Sequence, residues 1–136
     1  MLIAQQRKNA LFGHLVADAC GVPYEFYDPK ELPAASQIDM TPPMFFDRAH
    51  RGTPVGTWSD DGAHVLALVD TLNKTSPIDL NDFGQKLLSW GNEGDYTPDG
   101  RVFDIGIQTR YALMRIEDGI SPEKSGAFKE IGRAHV

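Results

Sequence analysis

Apolar positions recur at helical spacing between Gln5 and Cys20. Ala10, Leu11, His14, Leu15 and Asp18 share one side of a helix drawn through them, and Phe12, Val16 and Ala19 widen the apolar face. Gly21 and Pro23 stop the pattern. Val22 to Thr57 carries most of the chain's nine prolines and has no period, which predicts a long irregular loop with a helical turn near Lys30. A loop of that length is uncommon in a compact domain and is often functional. Helical spacing returns at Ser59, with Val65, Leu66, Leu68, Val69 and Leu72 on one face as far as Asn73. A third helix is predicted from near Asp79, with Leu80, Phe83, Leu87, Leu88 and Trp90, ending at Gly91. A Gly-rich loop spans Gly94 to Gly100. A fourth helix is predicted from near Asp104 to Gly119, with Ile105, Thr109, Ala112, Leu113 and Ile116 on one face. Ser121-Pro122-Glu123 can open a fifth. Val102-Phe103 is the one weak strand candidate, so the class is all-α.

Composition narrows the function classes. A hydrophobic share of 41% over 136 residues supports a core, although the long loop suggests that part of its packing surface lies elsewhere. The net charge of −6 disfavours a nucleic-acid or membrane-surface binder, since a polyanion would be repelled. No apolar stretch approaches the ~20 residues that span a bilayer. The single cysteine, Cys20, excludes an internal disulfide, and the polar N-terminus lacks a signal-peptide core. The expectation is a soluble, cytoplasmic protein. His14, His50, His64 and His135 show no metal-ligand spacing.

Three segments can carry chemistry. Gly56-Thr57-Trp58-Ser59-Asp60-Asp61-Gly62 is the sharpest. Ser59 is a good N-cap and the two aspartates suit the positive end of a helix dipole, so capping alone accounts for them. The other reading is that the hydroxyl and both carboxylates converge on a hard divalent cation such as magnesium, with Trp58 as a shield. The second segment is Asp99-Gly100-Arg101-Val102-Phe103-Asp104-Ile105-Gly106. Asp104 can be an N-cap, while Gly100 and Gly106 permit close approach of a ligand to the backbone. The third is Asp18-Ala19-Cys20-Gly21-Val22-Pro23-Tyr24-Glu25. A carboxylate near a helix C-terminus is unfavourable, so Asp18 either has a partner or lies on the polar face. Glu25 follows a Gly/Pro break.

Together these segments resemble the ADP-ribosylglycohydrolase family, which includes the dinitrogenase reductase-activating glycohydrolases. The family opens with Gly-Asp-Ala-x-Gly-x-Pro-x-Glu, matched here by residues 17–25 with Ala17 where glycine is usual. Its Gly-x-Trp-Thr/Ser-Asp-Asp signature is matched by Gly56 to Asp61, and its Asp-Gly-x-x-Phe-Asp-Ile/Val-Gly-x-x-Thr by Asp99 to Thr109. Order and spacing agree from about residue 10 to residue 126. The resemblance implies an N-terminal part of an all-helical hydrolase fold. It makes Ser59, Asp60 and Asp61 the N-terminal ligands of a two-ion magnesium (Mg2+) site. Glu25 would lie beside that site as a gate. Asp104 would face the substrate ribose and handle a proton, in a substrate-binding stretch with Gly100, Phe103 and Gly106. The implied substrate is ADP-ribose carried by a protein side chain or a small molecule. A crystallin-like or ADP-ribose-binding relative without catalysis is the alternative.

The family's Gly-Asn-Gly-x-x-Met-Arg and late Asp-x-Asp-Thr motifs are absent from this sequence. The expectation is therefore a truncated chain that holds magnesium weakly or not at all and lacks turnover. Ile131-Gly132-Arg133-Ala134-His135-Val136 is what ATC GGA AGA GCA CAC GTC, a common sequencing adapter, encodes, so residues 1–130 are expected to be the native portion and 131–136 a non-native tail, with a natural polar tail as the alternative.

Overall fold

The computed structural model describes residues 2–74 and 76–126. The expected non-native tail at 131–136 lies outside the described residues. Among those described there is no strand, and the class is all-α. The helices are α1 (Leu2–Gly21), α2 (Asp60–Lys74), α3 (Leu80–Glu93), α4 (Ile107–Glu117) and α5 (Pro122–Ser125). No described helix is long and apolar enough to cross a membrane. The chain divides into two compact units, Met1–Val65 and Leu66–Val136.

In the first unit, α1 ends at Gly21 and runs directly into a 3-10 turn, Val22–Tyr24, whose three residues are all buried. Pro23 sets the turn, because its ring fixes φ and it has no N–H to leave unsatisfied. Half of the predicted α1 face is covered: Ala19 is buried and Leu11, Leu15 and Asp18 are half-buried. Phe12 and Val16, which were expected to widen that face, are instead 63% and 50% exposed. The long loop is irregular as predicted, but its helical turn is Ala35–Gln37, not at Lys30. At Lys30 the chain forms a tight turn instead: Glu31 N–H donates to the Asp28 carbonyl (2.8 Å) and Lys30 N–H to Asp28 Oδ1 (2.8 Å). Aspartate does this because its short side chain competes for local N–H groups. Tyr24 anchors the loop. Its hydroxyl donates to the Asp39 carbonyl (2.9 Å), and its ring meets Phe46 at 5.1 Å.

The second unit packs α3, α4 and α5 against one another. Asp79 caps α3, accepting from Asn81 N–H (2.9 Å) and Asp82 N–H (3.2 Å). Contrary to the expected stop at Gly91, α3 runs on to Glu93 and ends at Gly94, which has φ +80°. Gly91 serves packing instead: a Cβ there would lie 3.0 Å from Leu113 Cδ1. Gly94 is the better stop because its left-handed backbone is open to glycine, and a Cβ would sit 2.2 Å from the Gly100 carbonyl oxygen. On α4, Thr109, Ala112, Leu113 and Ile116 turn inward as predicted, while Ile107, Tyr111 and Met114 are exposed. Trp90 is the largest fully buried side chain.

The buried line along α2 differs from the predicted face. Ala63, Ala67 and Thr71, at i, i+4 and i+8, are fully buried, the aliphatics flank them, and Leu72 is 51% exposed. Small side chains take the innermost positions because they let the helix backbone approach its surroundings.

Candidate metal and substrate site

The start of α2 is built by a residue distant in sequence. Asp18, near the end of α1, accepts from Ser59 N–H (2.9 Å), Ser59 Oγ–H (2.7 Å) and Gly62 N–H (2.7 Å). Asp18 thus has a partner, and the partner is the first turn of α2. It takes the role that the capping reading gave to Ser59, since Gly62 N–H, an orphan donor of the first turn, is satisfied by Asp18. A carboxylate is well placed there, facing the positive end of the α2 dipole. The Asp60 carboxylate accepts from the Asp61 N–H (3.1 Å) and lies 3.3 Å from Ser59 Oγ. His14 on α1 donates a ring N–H to the Asp61 carbonyl (3.2 Å), a second tie between the two helices.

Ser59 is buried, Asp60 half-buried and Asp61 exposed, so the three side chains run from the interior to the surface. Trp58 lies over the same turn. A Cβ on Gly62 would come within 2.6 Å of Trp58 Cδ1, so glycine at 62 is what lets the indole pack there. His64, one turn into α2, has its imidazole pKa lowered by burial, partly offset by the charge of Asp61.

This donor set fits a hard divalent cation. Ser59 gives its hydroxyl proton to Asp18, which leaves the Oγ lone pairs for a metal. The remaining donors are carboxylate oxygens, which magnesium prefers.

Glu25 terminates the buried Val22–Tyr24 turn. Its carboxylate is paired with His50 Nε2 at short range. Sequence reasoning passed over His50 because no second histidine or cysteine stands at ligand spacing. The hint was its place in the long loop, a few residues before the Trp-Ser-Asp-Asp segment.

In the second unit, Gly100, Phe103, Asp104 and Gly106 lie in the irregular stretch that leads into α4. The expectation that Asp104 begins that helix is corrected: α4 starts at Ile107 and Gly106 occupies the N-cap with no side-chain bond. Asp104 has φ 55°. Aspartate is among the few residues that tolerate this region, and its carboxylate is not engaged as the α4 cap. Gly100 also has positive φ (+76°), with open space where a Cβ would point. Arg101 is held by Asp99 through its backbone N–H (3.2 Å) and two guanidinium contacts (2.8 and 2.6 Å), which lower the Asp99 pKa.

The sequence model of the ADP-ribosylglycohydrolase family matches residues 3–134. The chain belongs to the ADP-ribosylglycohydrolase family. It is 33% identical over 106 residues to the ADP-ribosylarginine hydrolase Tri1 of Serratia proteamaculans (strain 568), covering 78% of this chain and 27% of that protein. It is 34% identical over 106 residues to the Tri1 of Pseudomonas putida (strain GB-1), covering 78% of this chain and 26% of the relative. The chain thus aligns with about a quarter of the length of the curated relatives it matches.

Proposed function

We propose that an enzyme of the relatives' length carrying this sequence is a magnesium-dependent hydrolase that releases ADP-ribose from modified arginine side chains of proteins. Arginine is preferred to other linkages because both relatives are named for ADP-ribosylarginine. The observation that carries the reading is the Ser59-Asp60-Asp61 group at the start of α2, where Asp18 accepts two hydrogen bonds from Ser59 and one from Gly62. Ser59, Asp60 and Asp61 are the residues of this chain that would hold the metal. When bound, magnesium supplies charge stabilisation and orients the ribose hydroxyls and a water.

The chain's own residues then have separable tasks. Asp18 fixes the Ser59 hydroxyl and the first turn of α2. Trp58 keeps water from one side of the cluster. Asp104 handles a proton at the ribose, and Glu25 gates the substrate. The bond from the anomeric carbon to the guanidine nitrogen breaks, and a bond from the water oxygen to that carbon forms. The water proton ends on the departing guanidine. Gly100, Phe103 and Gly106 line the substrate approach. Residues 1–136 on their own, without the ligands that the late Asp-x-Asp-Thr motif supplies in the family, are expected to bind magnesium weakly and to lack turnover.

The test is release of ADP-ribose from an ADP-ribosylated arginine protein by the relatives'-length enzyme, before and after chelation of magnesium and with magnesium restored. Turnover that chelation removes and magnesium restores supports the reading. Full turnover in chelator rejects the metal assignment. Binding of ADP-ribose without turnover on any linkage favours the non-catalytic relative.

A further inference from the structure

The Glu25–His50 pair is built into the backbone on both sides. Glu25 leaves a 3-10 turn whose three residues are buried, so its Cα is fixed. The stretch before His50 is tied to that same turn, because Ala49 N–H donates to the Pro23 carbonyl (2.8 Å). The His50 carbonyl accepts from Thr53 N–H (2.9 Å) and from Thr53 Oγ (2.8 Å). Arg48 Nη2 in turn donates to Thr53 Oγ1 (3.1 Å).

His50 itself has φ 48°, and Phe26, the residue after Glu25, has φ 67°. Non-glycine residues stay in this region only where their surroundings over-determine it, and such residues collect at functional sites. The Phe26 and His50 rings lie 5.6 Å apart at a tilt of 57°. The imidazole is 16% exposed and the Glu25 side chain 28% exposed, so the pair is sheltered but reachable. An ionised carboxylate only accepts hydrogen bonds, so Nε2 carries the proton in this pair.

We propose that His50 is a positioning residue for Glu25: its Nε2–H selects one rotamer of the carboxylate and holds it where substrate enters. The inference rests on the reading of Glu25 as a residue that meets substrate. A carboxylate on a freely rotating side chain spends most of its time out of register, and misplacement by about 1 Å is enough to cost about a hundredfold in rate.

The experiment uses the relatives'-length enzyme and compares His50→Ala, His50→Gln, Glu25→Gln and the Glu25→Gln/His50→Ala double variant. kcat and KM are measured on an ADP-ribosylated arginine substrate, and ADP-ribose affinity by calorimetry. His50→Ala should lower kcat by about 10- to 100-fold with KM and ADP-ribose affinity little changed. His50→Gln, whose amide N–H can reach the carboxylate, should recover most of that loss. The double variant should be no worse than Glu25→Gln alone, because His50 acts through Glu25. If His50→Ala fails to fold, His50→Phe keeps the ring contact with Phe26 without a donor and takes its place. Wild-type kcat in the folded His50 variants beside a crippled Glu25→Gln would overturn the positioning role alone. So would fully additive losses in the double variant. Wild-type kcat in Glu25→Gln would instead remove the reading of Glu25 on which the inference rests.

Discussion

Carboxylates gather at two places along α2, joined by Asp18 from α1 and Asp82 from α3. At its start, Asp18 accepts three hydrogen bonds from N–H and O–H donors, beside Ser59, Asp60 and Asp61. Further along, in the second unit, Asp70 and Asp82 are matched by lysines, with Lys74 3.6 Å from Asp70. Lys86, only 8% exposed, pairs closely with Asp82, reaches Asp70 (3.5 Å) and donates to Thr71 Oγ1 (3.1 Å). Thr71 Oγ donates to Asp82 (2.7 Å), and the Tyr96 hydroxyl donates to Asp70 (2.8 Å). Burial pushes the Lys86 pKa down, but its two carboxylate partners outweigh that and raise it. Burial and the bond to Asp70 push the Tyr96 phenol up to about 12. The second network supplies its own positive charge and satisfies its members internally. The first sets the buried Ser59 hydroxyl within reach of the Asp18 and Asp60 carboxylates, in the group proposed above to hold a cation. Acid clusters are told apart by the positive charge that answers them.

The contrast breaks most visibly by charge removal. In the relatives'-length enzyme, Asp60→Asn or Asp61→Asn should lower hydrolysis by about a thousandfold or more, about 4 kcal/mol of barrier. Folding stability should change by no more than about 1 kcal/mol, the worth of a helix-dipole charge. Asp70→Asn should leave kcat near wild type and lower the denaturation midpoint. Steady-state kinetics and urea melts on the same variants separate these outcomes, and wild-type turnover in the Asp60 and Asp61 variants would return that group to capping.

Asp18→Ala comes next. It strips three hydrogen bonds from the start of α2 and should destabilise by about 3 kcal/mol, at about 1 kcal/mol for each neutral donor left unmet. Urea denaturation followed by helical ellipticity gives the value. Asp18→Asn, which can still accept through its carbonyl, should cost less. Equal losses in both variants would deny the role of the carboxylate as a remote cap.

Lys86→Met sharpens the other side. It keeps the stem and deletes the charge that answers Asp82 and one of the two that answer Asp70, the other being Lys74, so the thermal midpoint should fall while magnesium affinity stays the same. Calorimetry against magnesium, alongside a melt, tests both halves.

The smallest effect is pH-dependent. Asp82 has its pKa lowered below 3.8, first by its hydrogen bond from Lys86 and then by Thr71. Asp70 is lowered mainly by Tyr96. A carboxylate with a depressed folded-state pKa stabilises above its unfolded value and loses that contribution as pH falls through the folded value. Acid unfolding should therefore begin as pH drops below about 4, the ordinary range for aspartate. In Asp82→Asn the stability-against-pH curve should be flatter there. An unchanged slope would show that the pair adds nothing to acid sensitivity.

Much of this was legible along the chain. Helix spacing placed α1, α2 and α3, and Gly56 to Asp61 carried the signature of the family. Helix ends were less legible. Gly91 and Gly94 look alike in sequence, but Gly91 packs close against Leu113, whereas Gly94 takes the left-handed backbone that ends the helix. Asp104 was read as a cap because aspartate before an apolar run usually is one, and its φ of 55° is invisible to a residue-type rule. Lys86 at a buried position was missed because lysine is rarely buried unless paired, and its partners lie on another turn and another helix.

The sequence by itself determined the helical class, the long irregular segment after α1 and the family, because helical period, turn residues and contiguous motifs are local properties. Tertiary structure decided what each polar side chain does. Asp18 meets Gly62 across 44 positions, and Glu25 meets His50 across 25. Such partners are chosen by how helices and loops pack, and no spacing rule along the chain encodes them. A carboxylate becomes a cap, an ion-pair partner or a candidate ligand according to which donors that packing delivers to it.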